Sequence, residues 1–191
     1  MNRERRDVLE ALGAIVASGM GFTMTACANG SVDEVVRWSS GTARARIKMP
    51  ADATDCHHHI YDPAYPWAPE ARLKPGPAGV DDYRKLQKRI GTSRNVIVQP
   101  SSYGVDNRLL LASIAQFAGR ARGVAVVNTS VTDAELKQLH DGGVRGIRFN
   151  LAQAGATTLD MVHPLAARVA SLDWHVQVNA PAQFLLDSRS T

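Results

Sequence analysis

Few aromatic side chains are available to this chain. Phe, Trp and Tyr make up 6% of its 191 residues, too few for the stacking platforms that hold single-stranded nucleic acid. Two cysteines, Cys27 and Cys56, are too few to suggest a disulfide framework. No run of five or six basic residues occurs, so the net charge of +4 is dispersed and argues for no nucleic-acid partner. No Gly-x-Gly-x-x-Gly follows an apolar run, which excludes a dinucleotide phosphate loop. No stretch reaches the ~20 apolar residues of a membrane span. What remains is 45% hydrophobic and 21% charged, a globular composition with room for one domain and a core.

Arg5-Arg6-Asp7-Val8-Leu9 precedes a stretch from Ala11 to Ala26 that carries no charge. A basic start, an apolar middle and a small-residue end make a secretory signal. The paired arginines resemble the twin-arginine export motif, so residues 1–27 are expected to send the protein to the periplasm. Met24-Thr25-Ala26-Cys27 also resembles a lipoprotein processing box, with Cys27 as the lipidated residue. Membrane contact is expected only through the signal or that anchor. Residues 28–53 are polar, weakly patterned and read as a linker.

From Thr54 onward, strands and helices alternate. Short apolar runs at 54–60, 95–99, 123–127, 144–149 and 175–178 predict five strands. Between them, 81–90 places Tyr83, Leu86 and Ile90 on one helical face, and 106–117 does the same with Leu110, Ile114 and Phe117. Thr132-Asp133-Ala134-Glu135 is a capping box, opening a helix that runs to His140 and stops at Gly142-Gly143. A last helix is predicted over 159–172, burying Val162, Leu165, Ala166 and Val169. Nearly all-apolar strands fit a parallel sheet covered on both faces. The alternation implies an α/β fold with crossover helices. A (β/α)8 barrel of the TIM type fits, cut short after about five of its eight strands.

The densest chemical signal is Asp55-Cys56-His57-His58-His59-Ile60. Strand alternation places Asp55, His57 and His59 on one face and Cys56 and His58 on the other. Two imidazoles two residues apart can share one metal ion or one substrate oxygen.

Asp-x-His-x-His on an opening strand resembles the amidohydrolase superfamily, in particular amidohydrolase family 2. Further stretches resemble its lactone-hydrolysing branch, the 2-pyrone-4,6-dicarboxylate lactonases and their relatives. They are Tyr65-Pro66-Trp67-Ala68-Pro69-Glu70, Asn95-Val96-Ile97-Val98-Gln99, Gly104-Val105-Asp106-Asn107-Arg108, Ala121-Arg122-Gly123-Val124-Ala125 and Val144-Arg145-Gly146-Ile147-Arg148-Phe149-Asn150. The resemblance runs from Asp55 to about Leu186 and makes 54–191 the first part of such a barrel. It implies that water opens the ring of a small carboxylate or lactone substrate. It also implies roles: His57 and His59 polarise the lactone carbonyl, Ser101 contacts substrate, and Arg148 grips a carboxylate. A guanidinium suits that last task, because its planar fork matches a carboxylate and barrel sites lie at C-terminal strand ends.

Departures from the family qualify the reading. A second arginine that follows the Arg-Phe-Asn triplet in the family is replaced by Leu151-Ala152-Gln153-Ala154-Gly155, which favours a less charged lactone of the sugar or muconate type. Strand five ends Gln177-Val178-Asn179, with His175 at its other end. No binuclear centre is therefore expected. Either no cofactor is required, or one divalent ion (zinc or manganese) binds at His57 and His59. The family's strand-six histidine and strand-eight aspartate find no match in the residues up to Thr191, so no general base is evident and the five strands are expected to leave an open edge. A metal-dependent decarboxylase or amide hydrolase of the same superfamily, and a non-catalytic degenerate fragment, are the competing readings.

Overall fold

The computed structural model describes residues 36–152 and 155–187. The export signal, the Cys27 box and the first part of the linker lie outside the described residues, as do Gln153, Ala154 and 188–191. Within the expected linker, 36–53 forms no helix or strand. It is tied to the body through Arg89, which donates to Ala43 O, Ser40 O and Ser39 Oγ.

Five strands alternate with helices. They are β1 (Thr54–His58), α1 (Val80–Ile90), β2 (Arg94–Val98), α2 (Arg108–Ala115), β3 (Ala121–Ala125), α3 (Asp133–Asp141), β4 (Val144–Asn150), α4 (Val162–Ala170), β5 (His175–Asn179) and α5 (Ala182–Asp187). Short 3-10 turns occupy Ser101–Tyr103 and Leu159–Met161. Every strand pair is parallel, and the order across the sheet is β1-β2-β3-β4-β5. A doubly wound sheet reverses direction partway across and leaves neighbours out of chain order. Strict sequential order is instead that of a (β/α)8 barrel, here over its first five strands. The expected fold class is thus borne out.

Each element follows its residues. Thr132 caps α3 through Glu135 N at 3.2 Å, and Glu135 Oε2 accepts from Thr132 N at 2.7 Å, the reciprocal box read from the sequence. Gly143, at φ +96°, takes the left-handed turn that separates α3 from β4.

Three expectations shift. The helix predicted from 106 begins at Arg108, because the Asp106 carboxylate accepts from Arg108 N at 3.1 Å and holds Asp106 outside it. The helix predicted over 159–172 is split. A helix begun at Leu159 would set the Pro164 ring against the Asp160 carbonyl, whereas in the first turn of α4 its missing N–H costs nothing. The short α5 was not expected at all.

The core gathers on the central strands. Ile97, Val98, Val124, Val144, Ile147 and Phe149 are all at most 1% exposed, joined by Leu110 and Leu165 from the helices. Gly123 lets α2 approach β3: a β-carbon there would lie 2.6 Å from Ile114 Cδ1, too close without repacking. Among the described residues, no helix is long and apolar enough to cross a membrane.

Ile147→Ala should lower unfolding free energy by about 2–5 kcal/mol, since it opens a cavity in a filled layer. Ile47→Ser, at a position 75% exposed, should change it by less than ~0.5 kcal/mol. Urea titration of both variants checks this.

Candidate active site

β1 does not alternate regularly. Asp55 pairs with Asn95 and His58 with Ile97, so three steps along β1 match two along β2. Such a bulge moves a side chain to the other face. Asp55 and His58 consequently meet the same ring: Tyr83 Oη donates to Asp55 Oδ2 at 3.0 Å, and His58 stacks on Tyr83 at 3.4 Å and 2°. The expectation that Asp55 shares a face with the two histidines is corrected. Its other carboxylate oxygen accepts from His57 N at 3.2 Å, which fixes the backbone of the bulge. His58 is held away by Asn95 Oδ1 at 3.1 Å. His57 and His59 remain neighbours as expected, ring centroids 5.1 Å apart at 79°.

His59 is locked in one tautomer. Its Nδ1 lies 2.7 Å from Val98 O, and a carbonyl only accepts, so Nδ1 carries the hydrogen. In the neutral ring Nε2 then presents a lone pair. Burial is the main cause that holds the His59 pKa down to about 4, reinforced by Arg148 and the neighbouring imidazoles against the help of Val98 O. The ring is therefore neutral at pH 7. His57 is exposed; partial burial first, and Arg148 second, still keep its pKa below the usual value, with Asp55 opposing.

Arg148, near the end of β4, is only 8% exposed. Its one hydrogen bond within the described residues is long, 3.4 Å to Gln99 O, and no carboxylate pairs with it there. Burial pulls its pKa below the usual arginine value, opposed by the nearby Tyr61 phenol; a guanidinium nevertheless stays charged. Ser101 opens the 3-10 turn after β2. Its Oγ accepts from Asn150 Nδ2 at 2.7 Å, and Asn150 Oδ1 accepts from Asn179 Nδ2 at 2.9 Å. That chain ties together the tips of β2, β4 and β5 and leaves the Ser101 hydroxyl hydrogen free to donate.

A cavity of about 240 Å³ opens at these tips, lined among others by His59, Tyr61, Arg72, Ser101, Arg148 and Asn150. Three of the four residues named from the sequence thus share one cavity. His57 lines an adjoining depression with Gln177, Val178 and Asn179, and Arg148 forms the wall between the two. Sequence reasoning missed Tyr61 and Asn150, although both continue a two-residue alternation, Tyr61 from His59 and Asn150 from Arg148. Arg72 and Glu70, on the irregular loop after β1, had no periodic signal to reveal them.

The donor set for a metal is incomplete. Among the described residues, no group of three or more His, Cys, Asp or Glu side chains is placed to hold an ion, whereas catalytic zinc takes three protein ligands. His57 and His59 could supply two. The tip of β5 is Asn179, and His175 stands at the opposite end, over Gly146. The residues present do not fit a complete metal centre, and no chemical step is assigned to an ion. Cys56 is exposed on β1 and forms no disulfide among the described residues.

A strand-tip cavity holding His59, a buried guanidinium with no carboxylate partner among the described residues and a donor hydroxyl, built on sequential parallel strands, has counterparts among known proteins. The amidohydrolase family model matches residues 54–189, and the chain belongs to that family. It is 40% identical over 145 residues to a 2-pyrone-4,6-dicarboxylate hydrolase of Comamonas testosteroni, covering 74% of this chain and 48% of that protein. It is 32% identical over 158 residues to a D-galactarolactone isomerase of Agrobacterium fabrum, covering 82% and 54%. A solved structure of a probable 2-pyrone-4,6-dicarboxylic acid hydrolase from Acinetobacter baumannii, with citric acid bound, superposes with a TM-score of 0.65 at 29% identity, over 72% of this chain and 52% of that one. The chain spans about half the length of the curated relatives it matches.

The lowered histidines make stability pH-dependent. A base whose folded pKa lies below its unfolded value binds protons preferentially in the unfolded state, so stability is full above the unfolded value and falls as pH drops. For His59 the window runs from about 6.5 down to about 4, and a shift of that size amounts to roughly 3 kcal/mol. Unfolding free energy measured between those limits should decline with acid, and His59→Asn should flatten the decline. An unchanged slope in that variant contradicts the assignment.

Proposed function

We propose that this chain forms the substrate-gripping part of a hydrolase that opens a small carboxylate-bearing lactone with water. The observation that carries the reading is Arg148, a buried guanidinium without a carboxylate partner among the described residues, in the same cavity as His59 and Ser101. A buried unpaired charge is costly, and a substrate carboxylate relieves that cost through a bidentate, charge-assisted pair. Kinship to a protein named for a pyrone dicarboxylate, and a structural neighbour holding citric acid, support a carboxylate as the group gripped, and kinship to one named for galactarolactone supports the lactone.

The remaining roles follow from donors and acceptors. Water adds to the lactone carbonyl carbon, the acyl–oxygen bond of the ring breaks, and a hydroxy acid is released. Ser101 donates to a substrate oxygen. His59 presents a lone pair, so it accepts a hydrogen bond from the water rather than donating to the carbonyl. Its basicity is too low for it to be an efficient proton acceptor at neutral pH. His57, more exposed and beside Arg148, is the imidazole able to donate to the carbonyl oxygen. Proton removal from the water is assigned to none of these side chains.

Arg148→Ala should lower kcat/KM for a carboxylate-bearing lactone about 30-fold or more, because it removes one partner of a buried charge pair. Proton release in a pH-stat, over a panel of lactones with and without a carboxylate, measures this. Equal activity of wild type and Arg148→Ala on every substrate contradicts the proposal.

We also propose that residues 1–27 direct export, on the strength of the paired arginines and the uncharged segment behind them. Replacing Arg5 and Arg6 together by Lys should retain the protein in the cytoplasm on fractionation. Unaltered periplasmic recovery contradicts a twin-arginine signal.

A further inference from the structure

The segment ahead of β1 is basic and lies on the surface. Residues 37–48 carry Arg37, Arg44, Arg46 and Lys48 and no Asp or Glu, and all four cations are exposed. The segment runs along α1. Arg89 holds it through Ser39, Ser40 and Ala43, Ala45 N donates to Arg89 O at 3.5 Å, and Met49 lies beside Gly91. The acceptors on Arg89 are neutral, so its charge persists beside the segment. The helix continues the same sign, because no Asp or Glu occurs from Tyr83 to Val105. Asp52, the next acid down the chain, is already approached by Arg120 at 3.6 Å.

Two apolar side chains stand in this basic segment. Trp38 is 71% exposed and Ile47 75%, the most exposed large hydrophobics of the described residues. Trp38 is fixed in that position: its Nε1 donates to Pro77 O at 3.0 Å, and its ring lies against Gly76, where a β-carbon would be 2.9 Å away. Cations at a surface attract anionic headgroups, and an indole settles at headgroup level. We propose that residues 37–48, laid along α1, dock the protein on an anionic lipid membrane. A nucleic acid would use the cations and leave Ile47 in water. Ten residues separate the uncharged stretch 11–26 from Arg37, which also favours lipid as the anionic surface. The docking face is independent of the lactone-hydrolase reading.

Co-sedimentation of the full chain with vesicles of phosphatidylcholine, alone or mixed with phosphatidylglycerol, tests the proposal. Binding should be tighter to the mixed vesicles, and that preference should fall with salt. Residues 1–35 hold three arginines against five carboxylates, so they supply no such preference. Arg44→Gln, Arg46→Gln and Lys48→Gln together should weaken binding to mixed vesicles about 100-fold and to phosphatidylcholine less than about twofold. Arg44→Lys with Arg46→Lys, which keeps the charge, should retain the preference. Ile47→Ser, expected to leave folding intact, should weaken binding to mixed vesicles about tenfold. A triple Gln variant that keeps the wild-type preference, or a wild type that binds both vesicles alike, overturns the proposal. Capture of wild type and Ile47→Ser alike on heparin, with no binding to either vesicle, also overturns it and marks a soluble polyanion as the partner.

Discussion

A positive charge enclosed at the end of a parallel strand, with no negative partner among the described residues, is the constraint around which this structure is organised. Burying an ion without compensation costs several kcal/mol even after relaxation. The fold tolerates Arg148 because the group faces a cavity and keeps one long contact to Gln99 O. It is satisfied incompletely, and a ligand carboxylate is the chemistry that completes it.

The sheet brings the other groups to that charge. Parallel strands in sequential order put all their C-terminal ends on one side. Register then sets the pairing across β4 and β5, with Arg148 opposite Gln177 and Asn150 opposite Asn179. The Asn150 amide reaches Ser101 after β2, and Asn179 reaches Asn150, so the rim is cross-linked by side chains. On β1, the bulge and the Asp55–Tyr83 bond turn Asp55 and His58 toward α1, leaving His57 and His59 beside the cavity. Neutral His59, locked by Val98 O, adds a lone pair without a second cation beside Arg148.

Much of this could be read from the residues. Apolar runs locate all five strands and Thr132 to Glu135 the start of α3, while the family resemblance adds Arg148 and Ser101 to the histidines. The failures have physical causes. A bulge leaves no trace in hydrophobic periodicity, so Asp55 was placed on the wrong face. Pro164 falls inside the apolar periodicity of 159–172, yet its ring admits it only in a first turn, which the periodicity does not mark. Arg72 and Glu70 line the cavity from a loop, where neither period applies. The tautomer of His59 depends on a carbonyl 39 residues away, which no local pattern encodes.

The most direct measurement of the central claim is a crystal structure of the chain with a carboxylate-bearing lactone analogue. A carboxylate forked onto the Arg148 guanidinium, in the cavity shared with His59 and Ser101, is the predicted result. An analogue seated elsewhere, with Arg148 still facing only Gln99 O, would contradict the account.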